Sequence, residues 1–462
     1  MKKSLLLFGA VSPALAAFAV PRIVESPTLH RLDSHPKVTV TYSLTAAPAI
    51  VTMDVQTNVV VAGEETWVSI GGANITSGEN ALTGEVYKAV TNAGPHEISW
   101  RPDRSWPAEQ GTVNPRGDTV RVVLTAWPTN DPPPYMVVDL ATGGRTFYPG
   151  EEFLPGGLLA NESYRTNSLV MRKIEARDMT WTMGSIGEYG RDVGTNDEPT
   201  KSVTMTNDYY IGVFPVTQRQ YAEITGIWPS KFSMVSCRDM RPVESVSYNW
   251  IRFSKTGNYS VSDVTNHEWP HPPLGDTFPG ILRTRTGGIV FDLPTEEQWE
   301  FACRAGHYEG EWGNGAPYEL DGSDAKNEAC AIGRNGNNVS NSGVTDHESE
   351  YDATRGTAIC GSYPPNSWGL YDMHGNVREW TVNTYNRVEF NEKFAGVPGM
   401  TPINAATGMG IHSNDIKCVR GGNWNSPAYR MRAGDRSNFE LIGTGKANLG
   451  FRVVCPAVVP VD

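Results

Sequence analysis

Five runs between residues 36 and 142 alternate apolar with polar side chains: KVTVTYSL, AIVTMDVQTNVVV, TWVSIGG, HEISW and DTVRVVLTAW. A period of two turns one face of a strand inward, whereas a helix needs 3.6. The runs are rich in Val, Thr, Ile and Trp, and Gly, Asn and Pro separate them. They predict an all-β unit over residues 36–142, an antiparallel sandwich of immunoglobulin-like type. PTNDPPPY is its last turn or a stiff exit. No catalytic cluster is visible there, and His96 reads as a loop or strand-start residue rather than a ligand.

From about residue 145 the pattern changes to short strands, long loops and dense Gly, Asn and Trp. Two helices are predicted. TQRQYAEITG has Thr217 as its N-cap and ends at a glycine. In TEEQWEFACRAG, Thr295 caps, Glu297 and Gln298 lie in the first turn, and Gly306 stops the helix. Trp299, Phe301 and Cys303 are expected to pack this helix against a sheet. The chain of 462 residues accommodates two or three domains.

The formal net charge is −12, without a long run of one sign. Nucleic acid is therefore not an expected partner, because phosphate binding wants clustered Lys and Arg. Residues 1–19 have the form of a secretory signal peptide: two lysines, a short apolar run broken by Pro13, then small residues in A-x-A spacing. The alternative is a membrane anchor, against which the run is short and broken by Pro13; separately, no later stretch is apolar enough to span a bilayer. The expectation is export to the periplasm, cell surface or extracellular space. Six cysteines, none in a C-x-x-C pair, argue against zinc or thioredoxin chemistry. In an exported chain they suggest disulfides. Cys330 and Cys360 flank a Gly/Asn/Ser-rich loop that a bridge would constrain, and they are the pairing expected first.

The C-terminal two-thirds carry an ordered set of motifs: RPVESVSYNWIRF, FDLPTEEQWEFACRAG, GLYDMHGNVREWTVN, VRGGNW, RSN and NLGFRVV. Over residues 165–456 this resembles the formylglycine-generating enzyme family, the sulfatase-modifying-factor domain. The resemblance implies an α+β fold, a C-type-lectin variant with little regular secondary structure, preceded by the β-sandwich.

It also implies calcium. In the matching motif a side-chain oxygen, two main-chain carbonyls and a glutamate surround the ion; here these are Asp372, Gly375, Val377 and Glu379. Ca²⁺ takes about six to eight oxygens and often mixes carboxylates with carbonyls, so the chemistry agrees. The alternative is that Asp372 and Glu379 only cap and salt-bridge the loop. A second family site would use the Asn327 side chain, the Glu328 carbonyl, Asp352 and the Thr354 carbonyl; Asn and Asp in such loops also serve as turn residues.

Enzymes of the family oxidise a cysteine of a client sulfatase to formylglycine, using two cysteines that bind Cu(I). Thiolates suit that ion because it is soft. The corresponding positions in RGGNWNSPAYRMRAGDRSN are Ser426 and Met431. Neither is a thiol, so copper is not expected. Serine catalysis at Ser426 would need a base and an orienting group, and His374 and His412 are the histidines available in sequence. An iron oxygenase, as in a thiohistidine-forming relative, would need an upstream histidine cluster, and the N-terminal part has only His30, His35 and His96.

The expected function is that of a secreted, calcium-stabilised, non-catalytic member that binds a peptide, protein or glycan. Asn423, Trp424, Ser426, Tyr429 and Arg430 are the candidate groove residues. Packing of Trp424 and internal ion pairs of Arg430, Arg432, Arg436 and Arg452 are the alternatives. Two further readings are a divergent formylglycine-generating oxidase and a structural or adhesion surface protein.

Overall fold

The protein is described by a computed structural model over residues 20–24, 28–31, 37–106, 120–184, 201–233, 235–254, 272–306, 332–333, 356–384, 416–424, 426, 431–436 and 439–460. Residues 1–19, Cys330 and the second expected calcium set (Asn327, Glu328, Asp352, Thr354) lie outside the described residues, as do Tyr429, Arg430 and His412.

The N-terminal part is mostly β, with two four-residue helices, Ala73–Thr76 and Pro102–Ser105. One antiparallel sheet runs in the order Thr28–Arg31, Val38–Leu44, Gly94–Trp100, Leu82–Gly84. The second is built on the long strand Ala49–Val61, which pairs with Glu64–Ser69, Ala89–Val90 and Val120–Pro128. Val38–Leu44 shows strict alternation of buried and half-buried residues, as its sequence period requires. Val40, Ile98 and Trp100 from the first sheet share one core with Val51, Met53 and Val55 from the second.

That core does not stop at the sandwich. It continues into Tyr135, Tyr148, Phe153, Phe214 and Tyr371 of the C-terminal part. Backbone contacts reinforce the junction. Phe147 N–H donates to Tyr87 O (2.9 Å) and Gly72 N–H to Glu152 O (3.0 Å). A Cβ on Gly72 would lie 1.9 Å from Phe153 Cα, so only glycine allows this approach.

The C-terminal part is α+β. Its central antiparallel sheet has the order Arg145–Tyr148, Tyr135–Asp139, Ser168–Ile174, Tyr209–Gly212, Val454–Pro456. Strands from both ends of the domain thus meet in one sheet. The expected sandwich boundary at residue 142 falls inside it, because YMVVD pairs forward with Ser168–Ile174 rather than back with the sandwich. A second sheet has the order Phe439–Leu441, Ile416–Arg420, Arg378–Thr384, Leu449–Gly450.

Both expected helices form: Gln218–Thr225 and Glu296–Arg304. Each begins with a capping box in which the threonine oxygen accepts from the third residue's N–H while that Gln side chain accepts from the threonine N–H. Gly226 closes the first helix at φ 75°. At the second, Ala305 already turns left-handed and Gly306 follows it. Trp299, Phe301 and Cys303 are fully buried, as expected. Two further helices, Tyr248–Arg252 and Phe278–Arg285, share a core with Gln218–Thr225 and with Met136, Met171 and Tyr210 of the central sheet, whereas Glu296–Arg304 packs with Tyr209, Ile211 and Val454. Among the described residues, no helix is long and apolar enough to cross a membrane.

Candidate functional site

The stretch Gly369–Trp380 crosses the middle of the C-terminal domain as a tight turn entering a strand. Asp372 (φ 57°), Gly375 (φ 107°) and Asn376 (φ 63°) all adopt left-handed backbone. Asp and Asn tolerate that region better than other residues with a Cβ. The turn is held from outside. Gly375 N–H donates to Gly421 O (2.7 Å), and Asn376 O accepts from Trp424 N–H (2.9 Å). Asn376 Oδ1 accepts from Ala358 N–H (3.0 Å).

Glu379 is the anchor of this region. Its Oε2 accepts from Trp299 Nε1 (2.8 Å) and Arg452 Nε (2.7 Å), and its Oε1 from Arg452 Nη2 (2.7 Å). Arg452 also donates to the carbonyls of Gly212 and Tyr371 (both 2.9 Å). Both side chains are removed from solvent. The salt-bridge alternative weighed for Glu379 therefore describes part of its role, and Arg452 is one of the internal ion pairs foreseen.

Asp372 is also buried. Its Oδ2 accepts from Gly361 N–H (2.8 Å), while Oδ1 has no hydrogen-bond partner. Burial pushes its carboxyl up to about 6, against the opposing pull of the Gly361 hydrogen bond and Arg452. An orphaned, buried carboxylate oxygen is chemically suited to a cation. A carboxylate offers about four lone-pair sites, and Glu379 uses three of them, which leaves one on Oε1. An Asp372 oxygen, that remaining lone pair and the carbonyls of Gly375 and Val377 are oxygens of the kind a hard cation takes. Arg452 cancels one of the two carboxylate charges. Among the described residues, no group of three or more His, Cys, Asp or Glu side chains is arranged to hold a metal. Any ion here would depend on backbone oxygens.

The glycine pair follows the strand Ile416–Arg420. Gly421 is left-handed, and a Cβ there would meet Met373 O and the Trp299 ring at 3.0 Å. Beyond it Asn423 O accepts from Ser426 N–H (2.9 Å), and Asn423 N–H donates to Ser426 Oγ (3.2 Å). Ser426 is half-buried and its oxygen closes a turn. Met431 is buried, and its carbonyl accepts from His374 Nδ1 (2.7 Å). The other nitrogen of His374 lies 3.5 Å from Cys303 Sγ. His374 is thus committed elsewhere, and no base stands beside Ser426 among the described residues.

Trp424, foreseen as a groove residue or as core, is core. It is 3% exposed, donates to Ala447 O (3.2 Å) and packs edge-on against Phe232 at 5.5 Å. Asn423 is buried too. Trp228, on the loop that Phe232 anchors, is 38% exposed, and Arg238 stacks over its ring at 4.3 Å. Sequence reasoning missed this loop. Its signal was the Trp228-Pro229 pair just past the helix-closing Gly226 and Ile227, a large aromatic where the chain must leave a helix for the surface.

Phe232 is itself held by a buried carboxylate. Its N–H donates to Glu244 Oε1 (2.9 Å), and Ser245 Oγ donates to Oε2 (2.6 Å). Burial pushes Glu244 up to about 7.

Behind the glycine pair lies a buried charge network. Helical spacing puts Glu296 and Glu300 on one face. Arg436 makes a two-bond contact with Glu296 (2.9 and 2.7 Å). Arg420 bonds Glu300 and the carbonyls of Ala433 and Asp435. Burial works against ionising Glu296, yet Arg436 and Arg420 outweigh it and hold the carboxyl at about 2. The network fixes residues 431–436 against the helix.

Cys237, Cys303, Cys360, Cys418 and Cys455 are buried. Burial pushes the Cys303, Cys360, Cys418 and Cys455 thiols up. The expected partner of Cys360, Cys330, is outside the described residues.

A family model for the sulfatase-modifying factor enzyme 1-like domain matches residues 166–457, more than half of the chain, and the protein belongs to that family. It is 25% identical over 262 residues to the chaperone protein LppX of Paenibacillus barcinonensis, a match covering 55% of this chain and 82% of LppX. It is 32% identical over 165 residues to the formylglycine-generating enzyme of Mus musculus, covering 35% of this chain and 38% of that enzyme. The mouse inactive C-alpha-formylglycine-generating enzyme 2 is 28% identical over 177 residues, covering 36% of this chain and 44% of that protein. The matches thus span less than half the length of either mouse protein. Among solved structures, PvdO from Pseudomonas aeruginosa aligns with 62% of this chain and 94% of its own, at 22% identity and a TM-score of 0.40.

Proposed function

We propose that this protein is an exported, non-catalytic member of its family that binds a peptide or protein client. The observation that carries the reading is the identity and packing of Ser426 and Met431. Ser426 closes a turn with Asn423, and Met431 is buried under a hydrogen bond from His374. A hydroxyl and a thioether cannot replace a thiolate pair for Cu(I). The buried thiols do not offer a substitute: Cys418 Sγ faces Arg436 and Cys303 Sγ faces His374. Two relatives agree in kind, one named a chaperone and one named inactive.

The client would meet the half-buried Ser426 turn and the exposed Trp228–Arg238 stack rather than Trp424. A glycan is the other ligand class this surface would admit. We also infer that the sandwich is immunoglobulin-like, that the C-terminal domain is a C-type-lectin variant, and that calcium at Asp372 stabilises the motif turn. Two antiparallel sheets over one core support the first reading, and the orphaned Asp372 oxygen supports the last.

The deciding experiment combines a Cu(I) titration with a sulfatase-type cysteine peptide. The expected result is no tight copper binding and no oxidation of the peptide. Copper-dependent turnover above background would overturn the reading in favour of a divergent oxidase. Trp228→Ala should weaken retention of a client in a pull-down while leaving the melting curve in place.

A further inference from the structure

The hairpin Ala49–Val61/Glu64–Ser69 leaves an unusual surface on the N-terminal sandwich. Among the described residues, Glu64–Ser69 pairs with Ala49–Val61 alone, so its other edge carries unpaired backbone N–H and C=O groups. All its residues are exposed except Trp67, which is half-buried. Val60 is 71% exposed and Val68 44%. Proteins usually protect such an edge with Lys, Pro or a bulge. EETWVS has no Lys or Pro, its exposed charges are Glu64 and Glu65 at the hairpin end, and its register against Ala49–Val61 is unbroken.

We propose that this edge pairs with the same edge of a second copy of the chain, joining two sandwiches into one continuous antiparallel sheet. The side-chain pattern selects the register. Residues facing each other across an antiparallel pair lie on the same sheet face, so a two-fold axis must fall on a residue rather than between two. Centred on Thr66, the axis would set Glu65 against the partner's Trp67 and Glu64 against the partner's Val68. Centred on Trp67, it sets Trp67 against the partner's Trp67, Thr66 against the partner's Val68 and Glu65 against the partner's Ser69. The second register places an aromatic pair at the centre and, within Glu64–Ser69, no carboxylate opposite an apolar side chain; Glu64 falls opposite the partner's Ile70, just past the strand end. Arg121 already stacks on the Trp67 ring at 4.6 Å and bonds Gln56 (2.8 Å), which fixes the ring before association. A free edge, an aromatic at its middle and acidic residues confined to the hairpin end fit a symmetric partner.

Sedimentation velocity of the full chain over a concentration series is expected to show a monomer–dimer equilibrium. Trp67→Lys places like charges on the axis and should weaken association by roughly a hundredfold or more. Its melting curve checks that the fold survives. Trp67→Cys should give a disulfide-linked dimer under mild oxidation, whereas Val60→Cys, off the free edge, should not. A chain that stays monomeric throughout, a dimer unaffected by Trp67→Lys, or equal cross-linking of the two cysteine variants would each overturn the proposal.

Discussion

Arg452 and Glu379 meet through two parallel hydrogen bonds, Nε to Oε2 and Nη2 to Oε1, both 2.7 Å, at a point closed to solvent. The pair ties the GFRVV strand end to the motif GLYDMHGNVREW, and Trp299 adds a third bond from the helix Glu296–Arg304. Breaking a buried pair from one side leaves an uncompensated charge. Arg452→Met should therefore cost about 3–5 kcal/mol in denaturant unfolding. A loss within the range of a surface mutation would show that the pair does not hold the motif.

Calcium should raise the melting temperature and a chelator should lower it. A ligand bound only by the folded state stabilises by about 2.7 kcal/mol at a hundredfold excess over Kd. Because Arg452 already neutralises Glu379, Asp372 supplies the remaining charge, and Asp372→Ala should abolish most of the difference. Identical melting curves with calcium and with chelator, after verified metal removal, would rule the ion out.

Glu244 supplies a pH dependence. Burial raises its folded carboxyl from 4.5 to about 7, so the folded state favours the protonated form. An acid with a raised folded pKa gives its full contribution below the unfolded value and loses it as pH rises toward the folded one. The loss falls between pH 4.5 and about 7 and amounts to roughly 3 kcal/mol. Glu244→Gln keeps an amide oxygen for the Phe232 N–H and removes the charge. The variant should flatten the stability profile over that window and be the more stable protein above it. Parallel profiles for the two proteins would contradict this account.

Gly72 tests the junction between the two parts. Its backbone is helical in φ, so alanine brings no conformational strain, but the new methyl would collide with Phe153. Overpacking of this kind costs about 1–3 kcal/mol. Gly72→Ala should shift one cooperative transition to lower denaturant. Two separate transitions would mean that the shared core does not couple the sandwich to the C-terminal domain.

Much of the fold was legible in the sequence. Thr217 and Thr295 announced their helices because a capping box is local, closed within four residues. The sandwich strands announced themselves through a period of two. The edge between the parts was not legible. The expected boundary at residue 142 falls between Tyr135–Asp139 and Arg145–Tyr148, yet these two strands pair with each other, and the first also pairs with Ser168–Ile174, in a sheet whose other border is Val454–Pro456. A period says that a strand has two faces but not which neighbour it takes.

The candidate site divides the same way. By itself the sequence determined the domain family and the order of its motifs, because each of these is a matter of residue identity, and from the family resemblance it led to the expectation that Ser426 and Met431 stand where the enzymes have their thiol pair. Only the tertiary structure decided what those residues do. It put Trp424 in the core under Phe232, spent three of the four lone pairs of Glu379 on Trp299 and Arg452, and left one oxygen of Asp372 without a partner. The physical reason is that a polar side chain's role follows from its surroundings. Burial removes water, and whether a buried charge then finds a partner depends on residues far away in the chain.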